Sequence, residues 1–67
     1  MNADKCMWWI QENFSIDGGE GALIRSVLDY TEEHLSPGER DEFLLELLDP
    51  IGLKQEDLDQ MRAKGIY

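Results

Sequence analysis

The fold of this 67-residue chain is decided by one stretch of sequence, LIRSVLDYTEEHL, which spans Leu23–Leu35. Apolar residues recur in it at intervals of three and four positions, and charged residues fall between them. This spacing puts an apolar stripe on one face of a helix and a polar surface on the other. We therefore predict an amphipathic helix whose core-facing residues are Leu23, Ile24, Val27, Leu28, Thr31 and Leu35.

A second helix is predicted directly after this stretch. In the segment Ser36–Glu39 a serine occupies the N-cap, a proline the first helical position and a glutamate the third, which is the pattern of a capping box. The helix should end near Asp49, because Pro50 disfavours the helical conformation in the residue before it. We expect its core side to consist of Phe43, Leu44, Leu47 and Leu48.

Two outer helices complete the pattern. The N-terminal one has a stripe made of Ala3, Cys6, Met7, Ile10 and Phe14. It is followed by Ser15–Gly21, in which three glycines fall within four positions and predict a loop. The C-terminal helix is expected after Gly52, with Leu53 and Leu58 forming a hydrophobic staple around Lys54 and with Gly65 as the C′ residue.

The fold class predicted from these patterns is all-α, a small bundle of about four short helices around one core. Residues 1–67 should form a single helical domain near the lower size limit for independent folding. Cys6 is the only cysteine, so an intramolecular disulfide is excluded and no oxidising compartment is required. No segment has the pattern of a secretory signal or a membrane span, and we expect a cytoplasmic protein.

The charge of the chain is concentrated in its middle. The formal net charge is −9, and between Asp29 and Asp49 eight acidic residues face a single base, Arg40. A field of this sign repels nucleic acid and anionic membranes, and it attracts basic protein surfaces. The residues predicted to form an acidic partner-binding face are Asp29, Glu32, Glu33, Asp41, Glu42, Glu46 and Asp49.

Three apolar residues do not fit the predicted stripes. Trp8 projects almost opposite the stripe of the first helix, and Trp9 lies on its flank, so both cannot face the core. Leu45 lies off the centre of the apolar stripe in the helix that follows Ser36. We predict that Trp8, Trp9 and Leu45 form an apolar interface; the alternatives are that the glycine-rich loop covers Trp8 and that the helix after Ser36 is wrapped on three sides.

Residues for catalysis or metal binding are sparse. His34 is the only histidine and the one cysteine is distant, so a metal site lacks ligands and His34 is expected to be a core or helix-end residue. Cys6 belongs to the buried stripe, where a thiol packs as a small hydrophobe. We therefore predict no enzymatic activity, no catalytic residues, no metal and no cofactor.

The segment Ile51–Leu58 looks like the opening of the first helix in many helix-turn-helix regulators. Only nine residues follow Leu58, which is too few for a recognition helix, and the net charge opposes DNA. Direct nucleic-acid binding is accordingly not expected.

Two functions are compatible with these features. In the first, the chain is a small acidic protein that inhibits or regulates a basic, nucleic-acid-handling partner, with its carboxylates imitating a row of phosphates. In size and charge it resembles compact acidic inhibitors from phages and mobile elements, which act on CRISPR effectors, restriction enzymes or polymerases. In the second, it is a helical interaction module or homodimer with an apolar interface and no mimicry.

Overall fold

The computed structural model describes the whole chain, Met1–Tyr67, and contains helices but no strand. This confirms the prediction of a small all-α bundle. None of the helices combines the length and the apolar character needed to cross a lipid bilayer. The elements are α1 (Ala3–Asn13), α2 (Gly18–His34), α3 (Pro37–Leu47), a 3-10 turn (Asp49–Ile51) and α4 (Gln55–Ala63).

A single cluster of twelve buried hydrophobic residues holds the helices together. Consecutive helices pack on one another, α1 on α2, α2 on α3 and α3 on α4. Thr31 is the one buried polar residue, and its hydroxyl donates a 2.7 Å hydrogen bond to the carbonyl of Val27. The cluster consists of Ala3, Cys6, Met7, Trp9, Ile10, Ile24, Leu28, Leu44, Leu48, Leu53, Leu58 and Met61.

The two ends of the chain meet, which closes the bundle. The carbonyl of Ile66 accepts a hydrogen bond from the amide of Asn2 at 2.9 Å and another from the thiol of Cys6 at 3.2 Å. Burial raises the pKa of the Cys6 thiol to about 11, so it remains protonated at neutral pH. The predicted packing role of Cys6 agrees with this position in the core.

The start of α2 corrects the predicted loop. Helix α2 begins at Gly18, so three of the glycines assigned to a loop lie in its first turn. The carboxylate of Asp17 accepts from the amide of Glu20 at 2.7 Å, and the carboxylate of Glu20 accepts from the amide of Asp17 at 3.3 Å. This reciprocal cap satisfies amides that the helix leaves free and offsets the low helix propensity of glycine.

The other helix ends follow the sequence patterns closely. At the start of α3 the amide of Ser36 donates to the carboxylate of Glu39 at 3.1 Å. Helix α3 ends at Leu47, and the chain then turns through the 3-10 segment. Lys54 is the N-cap of α4, and Gly65 has a φ of +76°, the left-handed conformation expected of a C′ glycine.

Some predicted core residues lie at the edge of the core. Leu23 and Leu47 are exposed and Phe43 is only half-buried, although each was predicted to face inward. With 3.6 residues per turn, Leu47 lies about 80° from a stripe centred on Leu44 and Leu48. Similarly, α1 ends at Asn13, so Phe14 caps the helix and does not extend it.

Candidate protein-binding surface

Several of the predicted acidic-face residues hold the fold together. The Asp41 carboxylate accepts hydrogen bonds from Arg62 Nη2 at 2.8 Å, from Gln55 Nε2 at 3.0 Å and from the hydroxyl of Tyr67. These contacts join α3 to α4 and to the C-terminus. The assignment of Asp41 to a free binding face is therefore corrected, because its oxygens are already occupied by groups of the same chain.

The pKa of Asp41 reflects this network. Burial raises the pKa of its carboxyl, but the hydrogen bonds from Tyr67 and Gln55 and the charge of Arg62 lower it by more, so it lies below its ordinary value. The pKa of Tyr67 is raised, first by burial and then by its hydrogen bond to Asp41. The guanidinium carbon of Arg62 also lies 5.0 Å from the centre of the Tyr67 ring, within cation–π range.

Other predicted acids are paired at the surface. Asp29 lies 3.0 Å from Nε of Arg25, which also contacts Asp4 of α1. The carboxylate of Glu32 accepts a 2.8 Å hydrogen bond from the amide of Ala3, at the start of α1. These contacts join α1 to α2, so they contribute to packing as well as to surface charge.

Asp49 and Glu33 have only weak contacts with other groups of the chain. Asp49 is 3.5 Å from Nζ of Lys54, and both side chains are largely exposed. Glu33 lies 3.7 Å from the imidazole of His34. Contacts of this kind between exposed groups are worth about 0–1 kcal/mol, so a partner could displace them at little cost.

Glu42 and Glu46 form no ion pair within the chain. Both are exposed on α3 and are four residues apart, so they are neighbours on one face of the helix. Together with Glu39 they line a shallow groove of about 290 Å³ between α3 and the end of α2. We call this the acidic groove, and it is lined by Leu35, Gly38, Glu39, Glu42, Phe43 and Glu46.

An aromatic cluster adjoins the acidic groove. The ring of Tyr30 stacks on Phe43 with a centroid distance of 5.5 Å, and it lies 4.7 Å from the imidazole of His34. Tyr30 is 49% exposed. Sequence reasoning missed Tyr30 and its stacking on Phe43; the available signal was an aromatic residue four positions before His34 on the same helix face.

The predicted apolar interface is reduced to one residue. Trp8 is 66% exposed, whereas Trp9 is 6% exposed and belongs to the core, with its ring 6.2 Å from that of Phe14. Leu45 is half-buried and packs against the core. The prediction that Trp9 and Leu45 form an exposed contact is wrong, since each has turned toward neighbouring helices of its own chain.

His34 and the largest concavity have mainly structural surroundings. His34 is the last residue of α2 and is exposed, which agrees with the predicted helix-end position.

The largest concavity, about 1050 Å³, is open and lies between the end of α1 and the start of α2. Its charged residues Asp17, Glu20 and Arg25 are already engaged in the cap of α2 or in ion pairs. No group of three or more His, Cys, Asp or Glu side chains has the geometry to hold a metal ion.

Comparisons of the chain with protein-family models, with curated proteins and with solved structures found no match.

Proposed function

We propose that this chain is a non-enzymatic binding protein that recognises a basic surface on another protein through the acidic groove. The observation that carries the proposal is the pair Glu42 and Glu46, two exposed carboxylates without a cation, beside the exposed ring of Tyr30. Of the other predicted acids, three are used within the fold, and Glu33 and Asp49 have weak surface contacts. Glu42 and Glu46 form no ion pair within the chain and are the most available to a partner.

The chemistry of the acidic groove suits an arginine or lysine side chain. A guanidinium can form paired hydrogen bonds with a carboxylate such as Glu42 or Glu46. Its planar face can also stack on an aromatic ring, here that of Tyr30 or Phe43. An aliphatic stem would then lie along Leu35 and Phe43, so the groove offers complementary contacts to each part of a basic side chain.

A nucleic-acid-handling partner is the class that we favour. Proteins that bind DNA or RNA carry rows of Lys and Arg that neutralise phosphates. Along α3, Glu39, Glu42 and Glu46 are separated by about 4.5 and 6 Å of helix rise, the same order as the spacing of charges on a nucleic-acid strand. The net charge of −9 would also accelerate encounter with such a surface.

We propose the consequence of binding to be inhibition or regulation of that partner, by occupation of the surface that otherwise contacts phosphates. A phage or mobile-element origin and a cytoplasmic setting belong to this proposal. The single cysteine is buried and free, which is compatible with a reducing compartment.

The proposal is tested by capture from host lysate with three tagged baits. The first is the native chain, the second carries Glu42→Gln and Glu46→Gln, and the third carries Glu56→Gln and Asp59→Asn. The two variants lose the same charge, and the four residues are exposed, so only the location of the charge differs.

The expected result is a basic nucleic-acid-binding protein retained by the native and third baits at low salt. It should be lost from the second bait, and from all baits when the salt concentration is raised, since exposed charges are screened beyond about 8 Å at 0.15 M ionic strength. A partner held equally by the first and second baits would refute the assignment to the acidic groove. A captured protein whose DNA or RNA binding is not reduced by the native chain would refute mimicry.

A further inference from the structure

A second groove lies on the outward side of α1, away from the acidic residues of α3. It has a volume of about 530 Å³, and mostly apolar surface lines it. The exposed Trp8 and the buried Trp9 contribute aromatic surface to it, and Ile66 of the C-terminus contributes aliphatic surface. The complete set of lining residues is Asp4, Lys5, Trp8, Trp9, Lys64 and Ile66.

The exposed face of α1 carries a cation, an aromatic ring and an anion in sequence. Lys5, Trp8 and Glu12 lie within about 60° of one another around the helix axis. Lys5 contacts no carboxylate and Glu12 contacts no cation in the chain. This arrangement is self-complementary, because rotating the helix by 180° places the anion where the cation was.

We propose that α1 pairs with α1 of a second copy of this chain in an antiparallel, two-fold symmetric dimer. In it, Lys5 of each copy faces Glu12 of the other, and Trp8 of each copy covers the groove of the other. The midpoint between Lys5 and Glu12 lies half a residue from Trp8. A two-fold axis at that midpoint therefore puts the ion-pairing residues at equal height and offsets the two Trp8 residues by about 1.5 Å along the axis.

The residues around α1 and the size of the chain favour a second copy of the chain as the partner of this groove. A two-fold interface uses the same patch on both copies, so a self-complementary face suits it. Asp4, the only acid that lines the groove, is paired with Arg25 and does not oppose the approach of Glu12. A chain of this size also gains stability from a second subunit. The core of a chain shorter than about 70–80 residues rarely contributes more than about 3–5 kcal/mol to the free energy of unfolding.

Charge-reversal variants test the pairing with little risk to the fold. Lys5→Glu puts an acid in the first turn of α1, and Glu12→Lys puts a base near its last turn, which are the preferred positions for each charge. Either change alone places like charges opposite each other in both halves of the dimer. A mixture of the two variants, however, restores two attractive pairs in a heterodimer.

The measurement is sedimentation velocity of the purified chain from about 10 µM to 1 mM, a range that reports weak association. We expect the native chain to dimerise, each single variant to dimerise at least about tenfold more weakly, and their mixture to recover the native affinity. Trp8→Ala should weaken the dimer by at least about thirtyfold. Lys54→Glu and Glu33→Lys are the matched controls for the change of net charge, and they should dimerise as the native chain does.

A native chain that stays monomeric throughout would overturn the proposal, as would single variants that dimerise normally or a mixture that fails to associate. The dimer should also persist at high salt, because screening reduces the repulsion between two chains of charge −9. Binding of a basic partner to the acidic groove has the opposite salt dependence, and its failure is therefore distinguishable from failure of the dimer.

Discussion

Replacement of Asp41 by alanine is expected to lower the free energy of unfolding by about 2–3 kcal/mol. The hydrogen bond from the Tyr67 hydroxyl to a charged carboxylate contributes about 1.5 kcal/mol, at the low end of its class because the Asp41 side chain is 31% exposed. The contacts from Arg62 and Gln55 are more exposed and contribute about 0.5 kcal/mol each. For a chain of this size the melting temperature should fall by about 10–20 °C.

The assay is urea unfolding at pH 7, followed by circular dichroism, with Glu42→Ala as the matched control. Glu42 is the next residue of α3 and has no partner in the chain, so its replacement should change stability by no more than about 0.5 kcal/mol. A double-mutant cycle with Tyr67→Phe isolates the hydrogen bond between the two side chains. Equal stability of the Asp41→Ala and Glu42→Ala variants would refute the assignment of Asp41 to the fold.

The same carboxylate should govern part of the acid stability. Because folding lowers the pKa of Asp41, its contribution is present above the ordinary carboxyl pKa of about 3.9 and is lost as the pH falls below that value. The difference in stability between the native chain and Asp41→Asn should therefore shrink between about pH 4 and pH 2. A difference that stayed constant over this range would contradict the proposed network.

Three further outcomes are expected. Trp9→Ala should destabilise the chain by about 3–5 kcal/mol, because Trp9 is buried in the core. Trp8→Ala, measured in dilute solution, should change the stability by less than about 1 kcal/mol. Similar losses of stability for the two variants in chemical unfolding would contradict the burial of Trp9 and the exposure of Trp8. Stability should also decline as the pH rises above about 9, because folding raises the pKa of Cys6 from 9.0 to about 11 and also raises the pKa of Tyr67. A raised pKa contributes stability that is lost when the group ionises. A flat stability profile from pH 8 to 11 would exclude this contribution. Gly65→Ala should cost about 1 kcal/mol in thermal unfolding because φ at this residue is +76°, and an unchanged melting temperature would show that the left-handed turn is not required.

The helices themselves could be predicted because their signals are local. The serine cap and proline at the start of α3 lie within four residues of each other, and the staple around Lys54 lies within six. The start of α2 differs from the predicted loop because the reciprocal cap of Asp17 and Glu20 offsets the low helix propensity of its glycines. That pair matches the spacing of a capping box, so the signal was present in the sequence.

Which acidic residues contact other groups of the chain, and which remain without a partner, could not be predicted in the same way. Asp41 finds its partners 14, 21 and 26 residues further along the chain, and only the packing of α4 and the C-terminus brings them together. Glu42, the next residue, points to a different side because successive helix positions differ by about 100°. The sequence therefore predicts a surplus of negative charge, whereas the structure separates carboxylates that hold the fold from those that remain available.

The exposure of Trp8 could be predicted in part from the sequence, but it also depends on how the helices pack. Helical geometry predicted that two adjacent tryptophans could not share the core, and the structure assigns Trp9 to it. Projection from the apolar stripe places Trp9 nearer to the core than Trp8, but whether a residue on the flank is buried depends on how α1 rotates against α2. That rotation is fixed by contacts between helices, such as those of Arg25 with Asp4 and of Glu32 with the amide of Ala3.

Binding of a basic partner by Glu42 and Glu46 is tested most directly by the dissociation constant of the captured partner, measured against salt concentration. We predict that the native chain and the Glu56→Gln, Asp59→Asn control show similar affinities that fall steeply as salt rises. The Glu42→Gln, Glu46→Gln variant should bind at least about tenfold more weakly at low salt and show a shallower salt dependence. Identical affinities and slopes for all three proteins would contradict the claim.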